Sequence, residues 1–193
     1  MHEGAILDYL IKNFINIKNN KKEFIEKAKL AHERFIFAYG KPFNQMSSTW
    51  FYRYYNLTTL TAGCPLYYKF FKDLKNIIRK FSKHKKPLWY QCWLNFHKQS
   101  EVLKWHHHEQ SSLHGYVSID PKNTETQFSN YTIKNEVGKM YLGNSYLKHK
   151  VNVLTPYKGK RITIAFDVFD EKDVKKLYKK SGKIDINTGF IPI

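Results

Sequence analysis

The stretch Trp105-His106-His107-His108-Glu109 is followed 43 residues after His106 by His149, and 12 residues after that by Arg161. Imidazoles are ready metal ligands near neutral pH. Three of them, or two and a carboxylate, can occupy one side of a transition metal and leave its other positions open for substrates. In an extended segment side chains alternate, so His106 and His108 share one face while His107 and Glu109 share the other. Two registers are therefore available for the pair, each completed by His149. An arginine shortly beyond the distal histidine is placed to hold a carboxylate beside the metal.

Strands must carry these residues. From Pro87 onward the pattern is one of short alternating runs separated by turns, and it predicts strands over 89–96, 115–119, 126–133, 139–142, 146–154 and 161–169. The turn Pro156-Tyr157-Lys158-Gly159 joins the last two. Many short strands at even spacing predict a sandwich or barrel. Arg161, Thr163 and Ala165 fall on one face of the final strand, opposite Ile162, Ile164 and Phe166. An inward-facing arginine needs an anionic partner. A dicarboxylate co-substrate would supply one, with Thr163 adding a hydroxyl hydrogen bond. Asp120, Glu125 and Asp167 read as turn and surface residues, with a supporting role behind the ligands open only to Asp120.

The N-terminal part reads as mostly helical. Phe24, Ala28, Ala31 and Phe35 recur at helical spacing, Asn20 and Glu23 stand as a capping box, and Gly40-Lys41-Pro42 is the stop. A second helix starts at Pro65 and buries Leu66, Phe70, Leu74, Ile77, Ile78 and Phe81. Trp50, Tyr52, Tyr54 and Tyr55 are dense enough to line a binding surface but read first as core aromatics, and Asp170 caps a terminal helix through Tyr178. The expected organisation is a single domain, mainly β with flanking helices (α+β). A helical buttress covers 1–86, a β core 87–169, and a helix and tail 170–193.

At 193 residues the chain is long enough for a substantial core. Its net charge of +17 attracts polyanions, which leaves a nucleic-acid partner open, but the lysines are spread over most segments and favour a compositional origin. Cys64 and Cys92 form no Cys-x-x-Cys pair, which argues against a disulfide framework or a cysteine zinc site and for a reducing cytoplasm. Asp8, Lys12 and Asn13 interrupt the apolar residues near the N-terminus, so neither a signal-peptide core nor a membrane span is expected there.

The ordered set Asn95-Phe96-His97, His106-His107-His108, His149 and Arg161-Ile162-Thr163 resembles the 2-oxoglutarate and Fe(II)-dependent oxygenase superfamily, over roughly residues 87–168. Small members from phages and marine bacteria are closest in pattern. The resemblance implies a double-stranded β-helix core of jelly-roll or cupin-like type. It also implies Fe(II) as the metal, and 2-oxoglutarate and dioxygen as co-substrates. The implied reaction decarboxylates 2-oxoglutarate to succinate and oxidises a primary substrate that the sequence does not name. By the same resemblance His106, His108 and His149 are the metal ligands, and Arg161 and Thr163 bind the far carboxylate of 2-oxoglutarate. Asn95, 11 residues before His106, stands where related oxygenases that act on nucleic acids place a co-substrate contact, and Tyr116 lies on a pocket-lining strand. Coordination chemistry alone favours the other register, His107 and Glu109 with His149, because it supplies two histidines and a carboxylate. His114 reads as a hydrogen-bonded structural histidine, and His97 as either a co-substrate contact or packing beneath the metal. Two further classes stay open: a cupin-like three-histidine metalloprotein without 2-oxoglutarate, and a basic nucleic-acid-binding protein.

Overall fold

The computed structural model describes residues 9–40, 49–50, 56–83, 86–101, 103–181 and 190–193. In chain order the elements are β1 (Tyr9–Asn13), α1 (Ile15–Asn19), α2 (Lys21–Tyr39), β2 (Thr49–Trp50), α3 (Leu57–Thr61) and α4 (Pro65–Ser82). The β core follows as β3 (Trp89–His97), β4 (Leu113–Asp120), β5 (Thr124–Phe128), β6 (Thr132–Lys134), β7 (Lys139–Asn144), β8 (His149–Val153) and β9 (Arg161–Phe169). Then come α5 (Glu171–Ser181) and β10 (Ile191–Pro192). Tyr52, Tyr54 and Tyr55 lie outside the described residues.

Strands pair antiparallel into two sheets, one ordered β1-β7-β4-β9-β3-β10 with β2 also on β3, the other ordered β6-β5-β8. The architecture is α+β, a jelly roll with helices against one side. Every residue of β9 is buried, because both of its faces are covered. On one face Ile162, Ile164, Phe166 and Val168 join Leu94, Phe96, Val117 and Leu142 in a cluster with the helical residues Ile17, Phe24, Tyr67, Phe70, Leu74 and Ile78. Full burial of each such side chain contributes roughly 1.5–3 kcal/mol, so this face anchors the helices to the sheet. The opposite face turns toward the small sheet and is polar at its ends, with Trp93, Tyr116, Phe128, Ile133, Tyr141 and Ala165 packed between.

The helices follow their apolar spacing. α4 begins at Pro65, where a missing N–H costs nothing, and buries Tyr67, Phe70, Phe71, Leu74 and Ile78 against the sheet. α2 buries Phe24, Ala28 and Phe35 and stops at Gly40, whose φ of 75° suits glycine. Its expected capping box does not form. Asn20 makes no side-chain cap and donates instead to the carbonyl of Asn16, closing the short helix α1. Asp170 does cap α5, accepting from the Asp173 N–H at 2.8 Å.

Three differences from the sequence expectation shape the core. β1 lies in the region read as helical and pairs along its whole length with β7, from Tyr9↔Gly143 to Asn13↔Lys139. The run 126–133 is a hairpin, β5 and β6, closed by the Phe128 N–H bonded to the Tyr131 carbonyl. The chain also returns to the large sheet at β10, where Ile191 faces Tyr90. Cys64 and Cys92 are both free thiols. Among the described residues no helix is long and apolar enough to cross a membrane.

Candidate metal centre and anion site

Register puts the polar residues of the large sheet into rows on one face. His97 on β3 is the Cα partner of Arg161 on β9, and in the next inward-facing row Asn95 pairs Thr163, which pairs Ser118 on β4. Trp93, Ala165 and Tyr116 make the following row, and Gln91, Asp167 and His114 the one after. Alternation therefore places Arg161, Thr163, Ala165 and Asp167 on the same side of β9. The first three are where the sequence puts them. Asp167 is not the surface residue it was read to be. It sits within β9, 4 % exposed, facing the interior.

Segment 103–108 runs alongside β8. His106 and His149 exchange both backbone hydrogen bonds, at 3.0 and 2.9 Å, while the Val151 N–H reaches the Leu103 carbonyl and the His108 N–H reaches the Ser145 carbonyl. This pairing brings the side chains of His106, His108 and His149 together, with one ligand-capable atom from each, all within 4.8 Å of one another. Their ring centroids lie 4.3 Å apart for His106 and His149, 5.6 Å for His108 and His149, and 5.5 Å for His106 and His108.

Each ring is oriented from behind. Nδ1 of His106 donates to the Lys104 carbonyl at 2.7 Å, Nδ1 of His149 to the Leu147 carbonyl at 3.0 Å, and Nδ1 of His108 to Asp167 Oδ2 at 3.0 Å. A carbonyl or a carboxylate only accepts, so the proton of each neutral ring sits on Nδ1 and the lone pair on Nε2. Among the described residues Nε2 of His108 is buried with no hydrogen-bond partner, an orphaned lone pair of the kind that a metal ion satisfies. This donor set fits a divalent transition metal.

Electrostatics favour the neutral form of His106, His114 and His149. Burial, reinforced by the neighbouring histidines, lowers His149 to about 2; burial also lowers His106 and takes His114 down to about 4. Burial alone would raise the Asp167 carboxyl, but hydrogen bonds from His108 and His114 hold it at about 2, as a carboxylate. His114 is hydrogen-bonded, and with His108 and Asp167 it also forms a second cluster of ligand-capable atoms within 4.8 Å of one another. Its Nδ1 donates to Asp167 Oδ1 at 2.8 Å, and its ring stacks on His108.

The other register is not assembled. His107 Nε2 and Glu109 Oε1 pair with each other at 3.0 Å, and the Glu109 side chain is 75 % exposed. Asp120 does not stand behind the ligands either; Lys21 and Lys122 hold it, each at 2.8 Å. Glu125 accepts from Asn152 Nδ2 within the small sheet.

At the far end of the polar face, Arg161 is 3 % exposed, and among the described residues its Nε has no hydrogen-bond partner and it enters no ion pair. A guanidinium stays charged in a protein, so a buried one without an anion is an incomplete arrangement. Its surroundings are similarly unsatisfied. His97 Nδ1 and Ser118 Oγ are buried without partners. The Tyr116 hydroxyl also lacks a well-formed hydrogen bond, although Thr126 is near enough to favour its ionised form. Burial lifts Tyr116 to about 12, so it remains a donor, and burial with the charge of Arg161 drops His97 to about 4. Ser118 escaped the sequence reading, although its place two residues beyond Tyr116 on the same strand face was available. A separate groove of ≈ 680 Å³ between α2 and the α3–α4 turn, lined by Leu30, Phe35, Leu60 and Cys64 among others, shares no residue with this region.

No family profile matches the chain, and no curated protein is significantly similar to it in sequence. Solved structures do share its fold. The non-heme alpha ketoglutarate dependent carbocyclase SnoK of nogalamycin biosynthesis superposes with a TM-score of 0.57 at 8% identity, covering 88% of this chain and 84% of that one. HygX from Streptomyces hygroscopicus, solved with nickel and 2-oxoglutarate bound, gives 0.55 at 12% identity, covering 85% and 83%. A prolyl hydroxylase from Trichoplax adhaerens, in complex with a hypoxia inducible factor peptide fragment, gives 0.54 at 13% identity, covering 86% and 85%.

Proposed function

We propose that the protein is an Fe(II)- and 2-oxoglutarate-dependent oxygenase. His106, His108 and His149 hold the metal, and Arg161 receives the far carboxylate of 2-oxoglutarate. The observation that carries this reading is Arg161 itself, buried and charged with no carboxylate beside it among the described residues. A dicarboxylate ligating the metal through one end would bring its other carboxylate to the guanidinium. Thr163, Asn95 and Tyr116 lie on that face in the two inward rows next to Arg161 and give the co-substrate hydroxyl and amide contacts. His97 and Ser118, with their unsatisfied polar atoms, join them.

When bound, a ferrous ion and dioxygen supply the oxidative decarboxylation of 2-oxoglutarate to succinate and the oxidising power spent on the second substrate. The chain's own part is geometric. The Nδ1 contacts fix three lone pairs toward one point, Arg161 sets the length and direction of the co-substrate, and the aromatic layer of Trp93, Tyr116, Phe128 and Tyr141 keeps water from the face between them. Two free cysteines suit a reducing compartment such as the cytoplasm.

The three-histidine donor set also favours one second reading, a cupin-like metalloprotein that uses no 2-oxoglutarate. One experiment separates the two. Fe(II) and then 2-oxoglutarate are added to the purified protein under argon while the visible spectrum is recorded. A metal-to-ligand charge-transfer band in the wild type that disappears in Arg161→Ala is expected. Iron binding with no such band would move the assignment to the cupin-like protein. Absence of iron binding would leave the net charge of +17 as the main lead, toward a nucleic-acid binder.

A further inference from the structure

The three clustered imidazoles include no carboxylate, yet a carboxylate lies one hydrogen bond behind them. Asp167 places Oδ2 3.0 Å from His108 Nδ1 and Oδ1 2.8 Å from His114 Nδ1. It is buried, and among the described residues its only ion-pair partners are these two rings. No lysine or arginine among the described residues pairs with it, so this buried carboxylate has only the two imidazoles to meet its charge. The donor cluster has the opposite deficit. Three neutral rings leave a divalent ion with its full charge in a buried place, where a set of two histidines and a carboxylate would cancel one unit. The two deficits meet at His108, which touches Asp167 through Nδ1 and offers the orphaned Nε2 on its other side.

We propose that Asp167 is the positioning residue of the centre. It fixes His108 with the proton on Nδ1, and it supplies, one imidazole removed, the negative charge missing from the ligands themselves. His114 completes the device by holding the second oxygen, with its ring stacked at 3.6 Å centroid separation on His108. The carboxylate is thereby kept in one orientation, unable to swing away from the ligand it polarises. This inference rests on the reading of His106, His108 and His149 as metal ligands.

The test uses Co(II) titrated into metal-free full-length protein, with the visible d–d band reporting both affinity and coordination. Asp167→Asn presents an amide N–H₂ to one of the two rings and forces that ring to surrender its Nδ1 proton. Co(II) affinity is expected to fall by ~10–100-fold, the usual loss when a partner behind a ligand is removed, with a shifted band and partial recovery in Asp167→Glu. His114→Gln, which leaves the His108 contact in place, is expected to lose less. Wild-type affinity and band in Asp167→Asn would overturn the inference while leaving the metal reading intact. A His114→Gln loss as large as that of Asp167→Asn, alongside normal binding in His149→Ala, would place the ion among His108, His114 and Asp167 and overturn it as well. A wild type that binds no Co(II) would overturn both this inference and the reading beneath it.

Should Asp167→Asn fail to fold, the unmodified protein decides. Proton NMR of the Co(II)-loaded wild type should show an exchangeable His108 Nδ1–H resonance that leaves more slowly than that of His106, whose Nδ1 contact is solvent-exposed. Its absence would mean that His108 binds through Nδ1, and the proposed role of Asp167 would be lost.

Discussion

Arg161 and His97 face each other as direct cross-strand partners on β9 and β3, both buried, and each carries a nitrogen without a hydrogen-bond partner among the described residues. Neither compensates the other. The guanidinium is charged, and its field helps to keep the neighbouring imidazole neutral. A buried guanidinium is costly unless an anion completes it.

The first prediction follows from that cost. Arg161→Met keeps much of the volume and removes the unpaired charge, so the co-substrate-free protein should gain stability, of the order of the 1–4 kcal/mol seen when buried ionic groups are replaced by apolar ones. Wild type should in turn be stabilised by 2-oxoglutarate, by about 2.7 kcal/mol at a hundred times Kd, and Arg161→Met should not respond. Thermal melts with and without 2-oxoglutarate and metal check both halves. An Arg161→Met protein less stable than wild type would mean that the arginine is already neutralised.

Metal titrations distinguish the two ligand registers. His106→Ala and His149→Ala should each weaken Fe(II) or Co(II) binding by more than the ~10–100-fold carried by contacts behind a ligand. His107→Ala and Glu109→Ala should bind as wild type, since those side chains pair with each other near the surface. Loss of binding in Glu109→Ala would reinstate the carboxylate register.

Acid should unfold the metal-free protein early. His97, His114 and His149 have folded-state values of about 4, 4 and 2 against a usual 6.5, mainly through burial. The unfolded chain takes up these protons below 6.5 and the folded chain does not, so stability is full above that pH and falls as pH approaches 4. Asp167, held at about 2 against 3.8, adds a further loss below 3.8, of the same sign. The urea midpoint of metal-free protein should fall through this range. A midpoint unchanged between neutral pH and 4 would show that the rings are protonated within the fold.

Gly115 carries a packing prediction. A Cβ there would run into the Phe166 ring and the Tyr141 carbonyl, on the strand that bears His114 and Tyr116. Gly115→Ala should destabilise by roughly 1–3 kcal/mol, the common cost of overpacking a core, and the denaturation midpoint measures it. A neutral effect would mean that Phe166 has room to turn aside.

Much of this arrangement was legible in the sequence because alternation is a strong constraint on a strand covered on both sides. Arg161, Thr163 and Ala165 against Ile162, Ile164 and Phe166 is such a pattern, and the structure keeps it residue for residue. The same rule, carried one step further, puts Asp167 inward, where a carboxylate within a strand reads on its residue type alone as a turn or surface residue. Ser129-Asn130 is a turn signal inside 126–133, and the hairpin of β5 and β6 folds around it. β1 was less accessible. Tyr9–Asn13 has no alternation of its own, and its strand conformation comes from pairing with β7 across more than a hundred residues of chain. Nor does a sequence show that Nδ1 of three histidines meets two carbonyls and a carboxylate, since those acceptors are brought up by the fold.

The pairing of segment 103–108 with β8 has a consequence for solubility. The small sheet would end at β8, whose outer row of N–H and C=O groups would lie open to another molecule's strand. The histidine-bearing segment covers that row, anchored on β8 at Leu103 and His106. Its own hold on β8 is short, and a metal shared by His106, His108 and His149 would be a tie between the two. Removing the ion should therefore loosen the cover and let chains associate strand to strand, which light scattering during chelator titration would reveal. If scattering stays flat while the metal leaves, the backbone contacts alone are enough to keep β8 capped.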